Sequence, residues 1–236
     1  MISLHLCHYK SLPIFTQLQT EEAILRTGAG NWCIINEGTP AAIVMGISGK
    51  ADELIDFHML EKHPMPIIRR FSGGGTVVVE EETVFVTFIF EKADLQLGTC
   101  PQELLQWTSK VYSPLFSHTP FAIRENDYAI ADKKIGGNAQ YFTKNRALHH
   151  TSFLWNFCPE RMQVLKMPEK RPQYRQDRSH SAFLTTISSY FERKEQFVER
   201  LKEKLASLFH ICPADTQVIQ DTLAKDHRKT TAYVIT

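Results

Sequence analysis

The chain has 236 residues, of which 43% are hydrophobic and 22% charged, as is ordinary for a globular protein. Its 27 Lys and Arg residues nearly balance 26 Asp and Glu residues, and we see no signal pattern or bilayer-length apolar run, so we expect neither a nucleic-acid nor a membrane partner. The five cysteines are scattered without a CxxC pair, which argues against a disulfide framework or zinc knuckle and favours a cytoplasmic location.

The first half of the chain alternates between helical and strand patterns. The run 14–27 has apolar residues at helical spacing and is followed by Gly28 and Gly30, which predicts an amphipathic helix that ends there. Residues 51–63 predict a second helix, ended by Pro64. Short β-rich runs predict strands at 32–37, 41–46 and 66–70.

Two further β-rich runs follow a set of three glycines. Residues 76–80 and 83–91 predict a hairpin. Its second arm is apolar enough to lie at the centre of a sheet. Because strand patterns are densest from 66 to 157, we expect this segment to hold the functional site.

The second half predicts an alternating set of elements as well. They are a helix at 101–116, short strands between 121 and 157, a helix after Asn156, a polar, basic loop at 168–180 and an amphipathic helix at 194–210. The stretch from Asp221 is weakly patterned, so we expect it to be mobile. Together the elements predict an α/β (α+β) fold, with a mixed, largely antiparallel sheet flanked by helices. We expect one domain over 1–236, with its core at about 10–190.

The sequence RRFSGGG at 69–75 keeps three glycines in a row, which is costly unless a backbone bends sharply or is closely approached. It fits neither GxxxxGK[ST] nor GxGxxG, and it joins strand to strand, so an anion there could not lie on a helix N-terminus. Glycine amides can still form an anion nest beside Arg69, Arg70 and Ser72. The alternative is a bulged turn with its arginines in solvent, and this motif alone leaves both interpretations open.

Two more motifs favour a site. DKKIGGNAQ at 132–140 places lysines beside two glycines inside a strand pattern, where glycine often marks the close approach of a ligand. LHHTSFL at 148–154 places paired histidines on an otherwise apolar strand. Because no third ligand stands at metal spacing, we expect no metal site there.

In this order, the three motifs RRFSGGG, DKKIGGNAQ and LHHTSFL resemble the lipoate–protein ligase A branch of the biotin/lipoate protein ligase family. Weaker similarity continues to a segment with Arg178, His180, Phe183 and Leu184, so the resemblance covers most of the chain. It implies a fold related to the catalytic domains of biotin ligases and class II aminoacyl-tRNA synthetases.

The resemblance implies a two-step reaction. The carboxylate of lipoate attacks the α-phosphate of ATP to give lipoyl-adenylate and pyrophosphate, and a lysine of an acceptor domain then takes the lipoyl group. ATP and Mg²⁺ would be needed, without a tightly bound cofactor. The acceptors would be the lipoyl domains of 2-oxoacid dehydrogenase complexes or the glycine cleavage H protein. Lipoate and octanoate both fit the implied substrate, since each has a carboxylate on an apolar chain.

The resemblance also implies roles for individual residues. Lys134 matches the family lysine that contacts the activated carboxyl and phosphate oxygens, so it is the predicted catalytic residue. Lys133 is expected on the opposite face because neighbours on a strand alternate. The predicted acyl-adenylate-binding residues are Arg70, Ser72, Gly73, Gly74, Gly75, Asn126, Asp127, Ile135, Gly137, Ala139 and His149.

The chain departs from the family pattern in two places. Val79 and Glu80 stand where the family usually has a His-Asp pair. Many ligases of this type also carry a C-terminal accessory domain, whereas one predicted helix dominates the residues after Leu184. Either the catalytic domain acts alone, or a separate accessory subunit completes it.

Other functions were weighed against the ligase. A lipoyl or octanoyl transferase without an ATP step would use a reactive cysteine in some branches, and Cys158 follows the third motif closely, although it resembles a buried cysteine at a helix start. A biotin ligase has a different glycine loop of the GRGRxGR type. A non-catalytic relative would be favoured by loss of Lys134, which is present. The basic segment 168–180 would suit nucleic acid, but the net charge gives this no support.

Overall fold

In the computed structural model, which describes residues 1–96, 98, 100–169 and 171–234, helices surround three β-sheets. The strands are β1 (Ser3–Lys10), β2 (Asn31–Glu37), β3 (Ala42–Met45), β4 (Ile67–Arg69), β5 (Val77–Val79), β6 (Thr83–Glu91), β7 (Phe121–Arg124), β8 (Asp127–Ile130), β9 (Lys133–Lys134), β10 (Gly136–Phe142), β11 (Arg146–Leu154), β12 (His210–Pro213) and β13 (Ala232–Val234). The α-helices are α1 (Ile14–Thr27), α2 (Ala51–Leu54), α3 (Phe57–Lys62), α4 (Pro101–Tyr112), α5 (Pro159–Met162), α6 (His180–Phe183), α7 (Lys194–Leu208) and α8 (Thr216–Ala224). Short 3₁₀ turns lie at Ser113–Phe116, Gln173–Arg175 and Ile187–Tyr190.

The largest sheet has the strand order β10-β11-β6-β2-β1-β12. The pairs from β10 to β2 are antiparallel, whereas β1 is parallel to both of its neighbours. The predicted fold of a mixed, largely antiparallel sheet flanked by helices is therefore confirmed. No helix within the described residues is long and apolar enough to cross a membrane.

Strand β6 divides the core into two layers because successive side chains point to opposite faces. Val86, Phe88 and neighbours at even positions pack with residues of α4 and α7. Phe85 and Ile89 pack instead with α1 and the four-stranded sheet β13-β4-β3-β5. A strand covered on both faces has to be continuously apolar, which is why the pattern of 83–91 predicted a central position.

The predicted hairpin of 76–80 with 83–91 is wrong. Strand β5 pairs antiparallel with β3, while β6 pairs with β2 and β11, so the two runs lie in different sheets. A tight connection still joins them, with the backbone amide of Thr83 bonded to the carbonyl of Glu80. Because β6 has strand neighbours on both sides already, the turn passes the chain from one sheet to the other.

Two other expectations need correction near the N-terminus. The predicted helix 51–63 is broken into α2 and α3, because Ile55 forms a β-bridge with Leu165 and the Asp56 side chain caps α3 at the amide of Met59. Residues 1–13 had no predicted element, yet β1 lies between β2 and β12. Polar and apolar residues stop alternating after Leu6, so this run is not typical of a strand by its pattern alone.

The segment after Asp221, expected to be mobile, is docked. Helix α8 packs against α1, and β13 adds an antiparallel strand to β4. The buried carboxylate of Glu22 on α1 fixes this arrangement, since it accepts hydrogen bonds from the amides of Thr230 and Thr231, the Thr231 hydroxyl and Arg26. The end of the described chain therefore buttresses α1 and the strand that enters the glycine run.

Replacing Glu22 with glutamine is expected to lower the free energy of unfolding by about 1.5–3 kcal/mol, because bonds to a buried carboxylate are lost or weakened. Burial acts to raise the pKa of Glu22, but hydrogen bonds from Thr231, Thr230 and Arg26 outweigh it and hold that pKa below its ordinary value. The stability that the Glu22 carboxylate contributes is thus fully present above the pKa of Glu22 in the unfolded chain. It is lost as the pH falls through the pKa of Glu22 in the folded protein. Urea unfolding at neutral and acidic pH measures it, with exposed Glu61→Gln as the control.

Candidate functional site

Two cavities meet at Lys134, between the glycine run and strands β9 and β10. The wide cavity has a volume of about 430 Å³ and the narrow one about 90 Å³. Their shared lining consists of Gly75, Thr76, Val77, Lys134, Gly137 and Ser152. The two cavities therefore adjoin along these residues, and Lys134 lies at their junction.

The narrow cavity is mostly apolar beyond this junction. Its further apolar lining is Ile14, Val44, Val79, Phe85 and Ala139. Three polar residues, Arg70, Asn138 and His150, complete it. The hydroxyl of Thr76 and the side-chain oxygen of Asn138 are buried without a hydrogen-bond partner within the described chain. Such a channel suits an apolar chain that ends in a polar group at the junction.

The wide cavity has an apolar wall and a charged wall. Its apolar wall includes Leu54, Val78, Leu154, Met162 and Leu165. Its charged wall includes Glu125, Asp127, Lys134, Arg171 and Arg175. His180 also lines this cavity but is neutral at neutral pH, because burial lowers the pKa of His180 to about 4. The basic segment 168–180, expected to be a solvated loop, is therefore partly a wall of this cavity. A flat, weakly polar ring and an anion would fit the two walls respectively.

Lys134 is oriented by an acid from the neighbouring strand. Its Nζ lies 2.7 Å from Oδ1 of Asp127, and the Tyr174 hydroxyl donates to Oδ2 of Asp127 over 3.0 Å. Burial and the Asp127 charge raise the pKa of Tyr174, so the phenol stays protonated and donates. Lys133 is exposed and lines neither cavity. The predicted opposite facing of the two lysines is confirmed.

Arg70 holds the glycine run in shape. Its guanidinium donates to the carbonyls of Gly73 and Gly75 over 2.7 and 2.9 Å, and to the Ser72 hydroxyl over 3.2 Å. Burial lowers the pKa of Arg70 to about 10, so it stays charged at neutral pH. Arg70 and Gly75 line a cavity, whereas the predicted binding residues Ser72, Gly73 and Gly74 line neither.

Strands β8 to β10 bring most of the other predicted residues to the cleft. Asn126 and Asp127 line the wide cavity, Ala139 lines the narrow one, and Gly137 lines both. Ile135 does not, because it is fully buried among residues of the α4 and α7 layer. It supports the strand from the opposite face.

The paired histidines face opposite sides of β11, and the predicted binding residue, His149, is not the one that lines a cavity. His149 is fully buried and bonded to Tyr128 and Gln140, so it lines neither cavity. Burial, and secondarily the neighbouring His150, lower the pKa of His149 to about 3, which keeps it neutral. His150 is the histidine that lines the narrow cavity.

His150 is held by a buried acid that the sequence did not single out. Its Nδ1 lies 3.0 Å from Oε1 of Glu21, a fully buried residue of α1. The same oxygen accepts from Thr87 and Gln17. Because Nδ1 faces a carboxylate, it carries the proton, which leaves Nε2 as the other polar atom of the ring.

The chain shares its sequence pattern and its fold with known proteins. The family described as lipoyl protein ligase A/B catalytic domain matches residues 13–210. The chain belongs to this family. A relative from Plasmodium falciparum (isolate 3D7), inactive lipoate–protein ligase 2, is 31% identical over 193 residues, which are 67% of this chain and 50% of the relative. The chain spans between 33% and 51% of the curated relatives that it matches.

Solved structures agree on the fold of this lipoyl ligase-family chain. A bi-partite lipoate protein ligase from Thermoplasma acidophilum superposes with a TM-score of 0.77 at 16% identity, over 94% of this chain and 91% of that one. A lipoate-protein ligase A bound with ATP has a TM-score of 0.74 at 16% identity, over 94% and 92% of the two chains.

The two departures from the family motif have structural roles here. Val79 is buried and forms part of the apolar wall of the narrow cavity. The Glu80 carboxylate accepts from Arg161 over 2.6 Å and from the amide of Cys158 over 2.7 Å. Val79, where the family usually has a histidine, thus contributes to packing. Glu80, where the family usually has an aspartate, holds the start of α5 in place.

Proposed function

We propose that this chain is the catalytic part of an ATP-dependent lipoate–protein ligase. The observation that carries the proposal is the position of Lys134 where an apolar channel meets a wider cavity that has an apolar wall and a charged wall with several cations. Such a cleft suits lipoate, or the related octanoate, in the channel and ATP in the wide cavity. The structural similarity to a ligase bound with ATP supports this placement of the nucleotide only at the level of the fold.

In the first step, a carboxylate oxygen from the channel bonds to the α-phosphorus of ATP, and the bond from that phosphorus to the bridging oxygen of pyrophosphate breaks. Negative charge on the phosphoryl oxygens rises at the junction, where the Lys134 ammonium is fixed by Asp127. Arg70 shapes the adjoining loop. Mg²⁺ would be held chiefly by phosphate oxygens, with Glu125 or Asp127 as nearby carboxylates.

In the second step, the ε-amine of an acceptor lysine attacks the carbonyl carbon of lipoyl-adenylate. A carbon–nitrogen bond forms, the bond to the phosphate oxygen breaks, AMP leaves, and the amine gives up a proton. The acceptor would be a lipoyl domain of a 2-oxoacid dehydrogenase complex or the glycine cleavage H protein. A bi-partite ligase among the structural relatives supports a separate accessory subunit as a further partner.

The purified chain, supplied with ATP, Mg²⁺ and lipoate, is expected to form lipoyl-adenylate and to exchange labelled pyrophosphate into ATP. Octanoate is tested beside lipoate. Exchange that responds to biotin and to neither of these acids would refute the lipoate assignment. The assay is repeated with an added lipoyl domain. Adenylate formation without transfer would show that transfer needs an accessory part.

Replacing Cys158 with serine is expected to leave acyl transfer unchanged. Among the described residues, no cysteine lines either cavity, and the Cys158 thiol bonds instead to the Glu160 carboxylate over 3.0 Å. A transferase that forms a thioester needs its thiol beside the acyl group. Gel-based lipoylation of an acceptor domain measures the effect, and complete loss in a folded variant would support the transferase alternative.

A further inference from the structure

Arg175 is a buried cation without a matching acid. It lies at the end of the 3₁₀ turn Gln173–Arg175, is 5% exposed and lines the wide cavity. Its Nη2 has no hydrogen-bond partner within the described chain. A buried charge is costly unless it is paired. The position therefore calls for an anion that the protein does not itself provide.

The surroundings hold the Arg175 side chain without neutralising it. Its Nε donates to the carbonyl of Arg178, and its guanidinium lies over the Phe183 ring, 5.0 Å from the centroid. The charge of Asp127 acts on Arg175, but the two oxygens of Asp127 already bind Lys134 and Tyr174. A stacked guanidinium that keeps one nitrogen without a partner suits the binding of a phosphate oxygen.

The neighbouring arginines differ from Arg175. Arg171 pairs with Asp177, and Arg178 pairs with Asp132 over 2.9 Å. Within the part of the chain that the structure describes, Arg175 forms no such ion pair. Of these three arginines, Arg175 is therefore the one that is available to bind an anionic ligand.

The direction of the proposed reaction tells which anion this is. The attacking carboxylate comes from the narrow cavity, and nucleophile and leaving group are roughly in line across the phosphorus. The leaving group consequently points into the wide cavity. Arg175 lines that cavity and does not line the narrow one. We propose that Arg175 binds the pyrophosphate portion of ATP and stabilises it as it departs. This assignment rests on the proposed ligase function.

The direct test is calorimetric binding of inorganic pyrophosphate to the whole chain. The Arg175→Gln substitution is expected to weaken this binding roughly 10- to 100-fold, the range for loss of one charge-assisted hydrogen-bonding group. Arg175→Lys, which keeps the charge without the planar fork, should give an intermediate affinity. Arg124→Gln is the matched control, because this substitution removes the same charge from a residue that is exposed and lines neither cavity. The affinity of the Arg124→Gln variant for pyrophosphate should stay within about twofold of that of the unmodified chain.

A second measurement separates this site from the rest of the mechanism. Transfer from preformed lipoyl-adenylate to a lipoyl domain should survive Arg175→Gln, since pyrophosphate has already left. Unchanged pyrophosphate binding in that variant, equal loss of transfer, or no binding by the unmodified chain would overturn the assignment. Thermal unfolding checks each variant, and the lysine variant provides the comparison if Arg175→Gln does not fold. Arginine-dependent pyrophosphate binding in a chain that forms no lipoyl-adenylate would uphold the site and reject the ligase function.

Discussion

Replacing Lys134 with alanine is expected to lower kcat/KM for lipoyl-adenylate formation by roughly 100- to 1,000-fold, the usual cost of removing one preorganised group that stabilises developing negative charge. Lys134 lines both cavities, so its ammonium can contact the carboxylate and the α-phosphate at once. Asp127 fixes that ammonium before substrate binds. Pyrophosphate exchange measures the loss directly.

Lys133→Ala is the matched control for this prediction. The two lysines are adjacent on β9, but Lys133 is exposed and lies outside both cavities. Its replacement should change the rate by no more than about twofold, as is usual for exposed positions. Loss of activity in Lys133→Ala with normal activity in Lys134→Ala would show that the other face of the strand is functional. Thermal unfolding separates loss of chemistry from the cost of leaving Asp127 without its partner.

The facing of side chains could be predicted on some strands only. At β9 one face meets solvent, so once the family resemblance had selected Lys134, alternation was enough to place Lys133 on the opposite, exposed face. Strand β11 is buried on both faces along its whole length. Alternation then still separates His149 from His150, but nothing in the apolar pattern says which of them faces the cleft. The family resemblance supplied the choice of His149, whereas the histidine that lines the narrow cavity is His150.

Contacts between distant segments were also beyond the sequence. The bond from Tyr174 to Asp127 joins residues 47 positions apart, and that from His150 to Glu21 joins residues 129 apart. Hydrophobic periodicity reports which elements form, not which polar side chains meet. The motif at 69–75 was recognisable because its unusual composition is local, whereas the loop at 168–180 became part of the site only through folding.

Replacing Gly75 with alanine is expected to lower kcat/KM for the acid substrate by about 100-fold while leaving stability unchanged. A Cβ at Gly75 would meet no protein atom within 4 Å, so the fold itself does not require glycine there. Gly75 lines both cavities, however, and the added methyl group would enter the junction beside Lys134. Displacing a reacting group by about 1 Å is enough for a loss of this size.

The glycine run contains its own controls. Gly73 also has no protein atom near its Cβ position, but it lines neither cavity, so Gly73→Ala should retain activity. Gly74 has a φ of +103° and a Cβ position 2.7 Å from Nη2 of Arg70, so Gly74→Ala should distort the loop and lower stability. Steady-state kinetics with lipoate and ATP, together with thermal unfolding, distinguish the three variants. Equal activity of Gly73→Ala and Gly75→Ala would mean that the junction does not hold the reacting groups. Loss of activity in Gly75→Ala with normal stability would mean that Gly75 leaves space for the ligand, whereas Gly74 is needed for the turn.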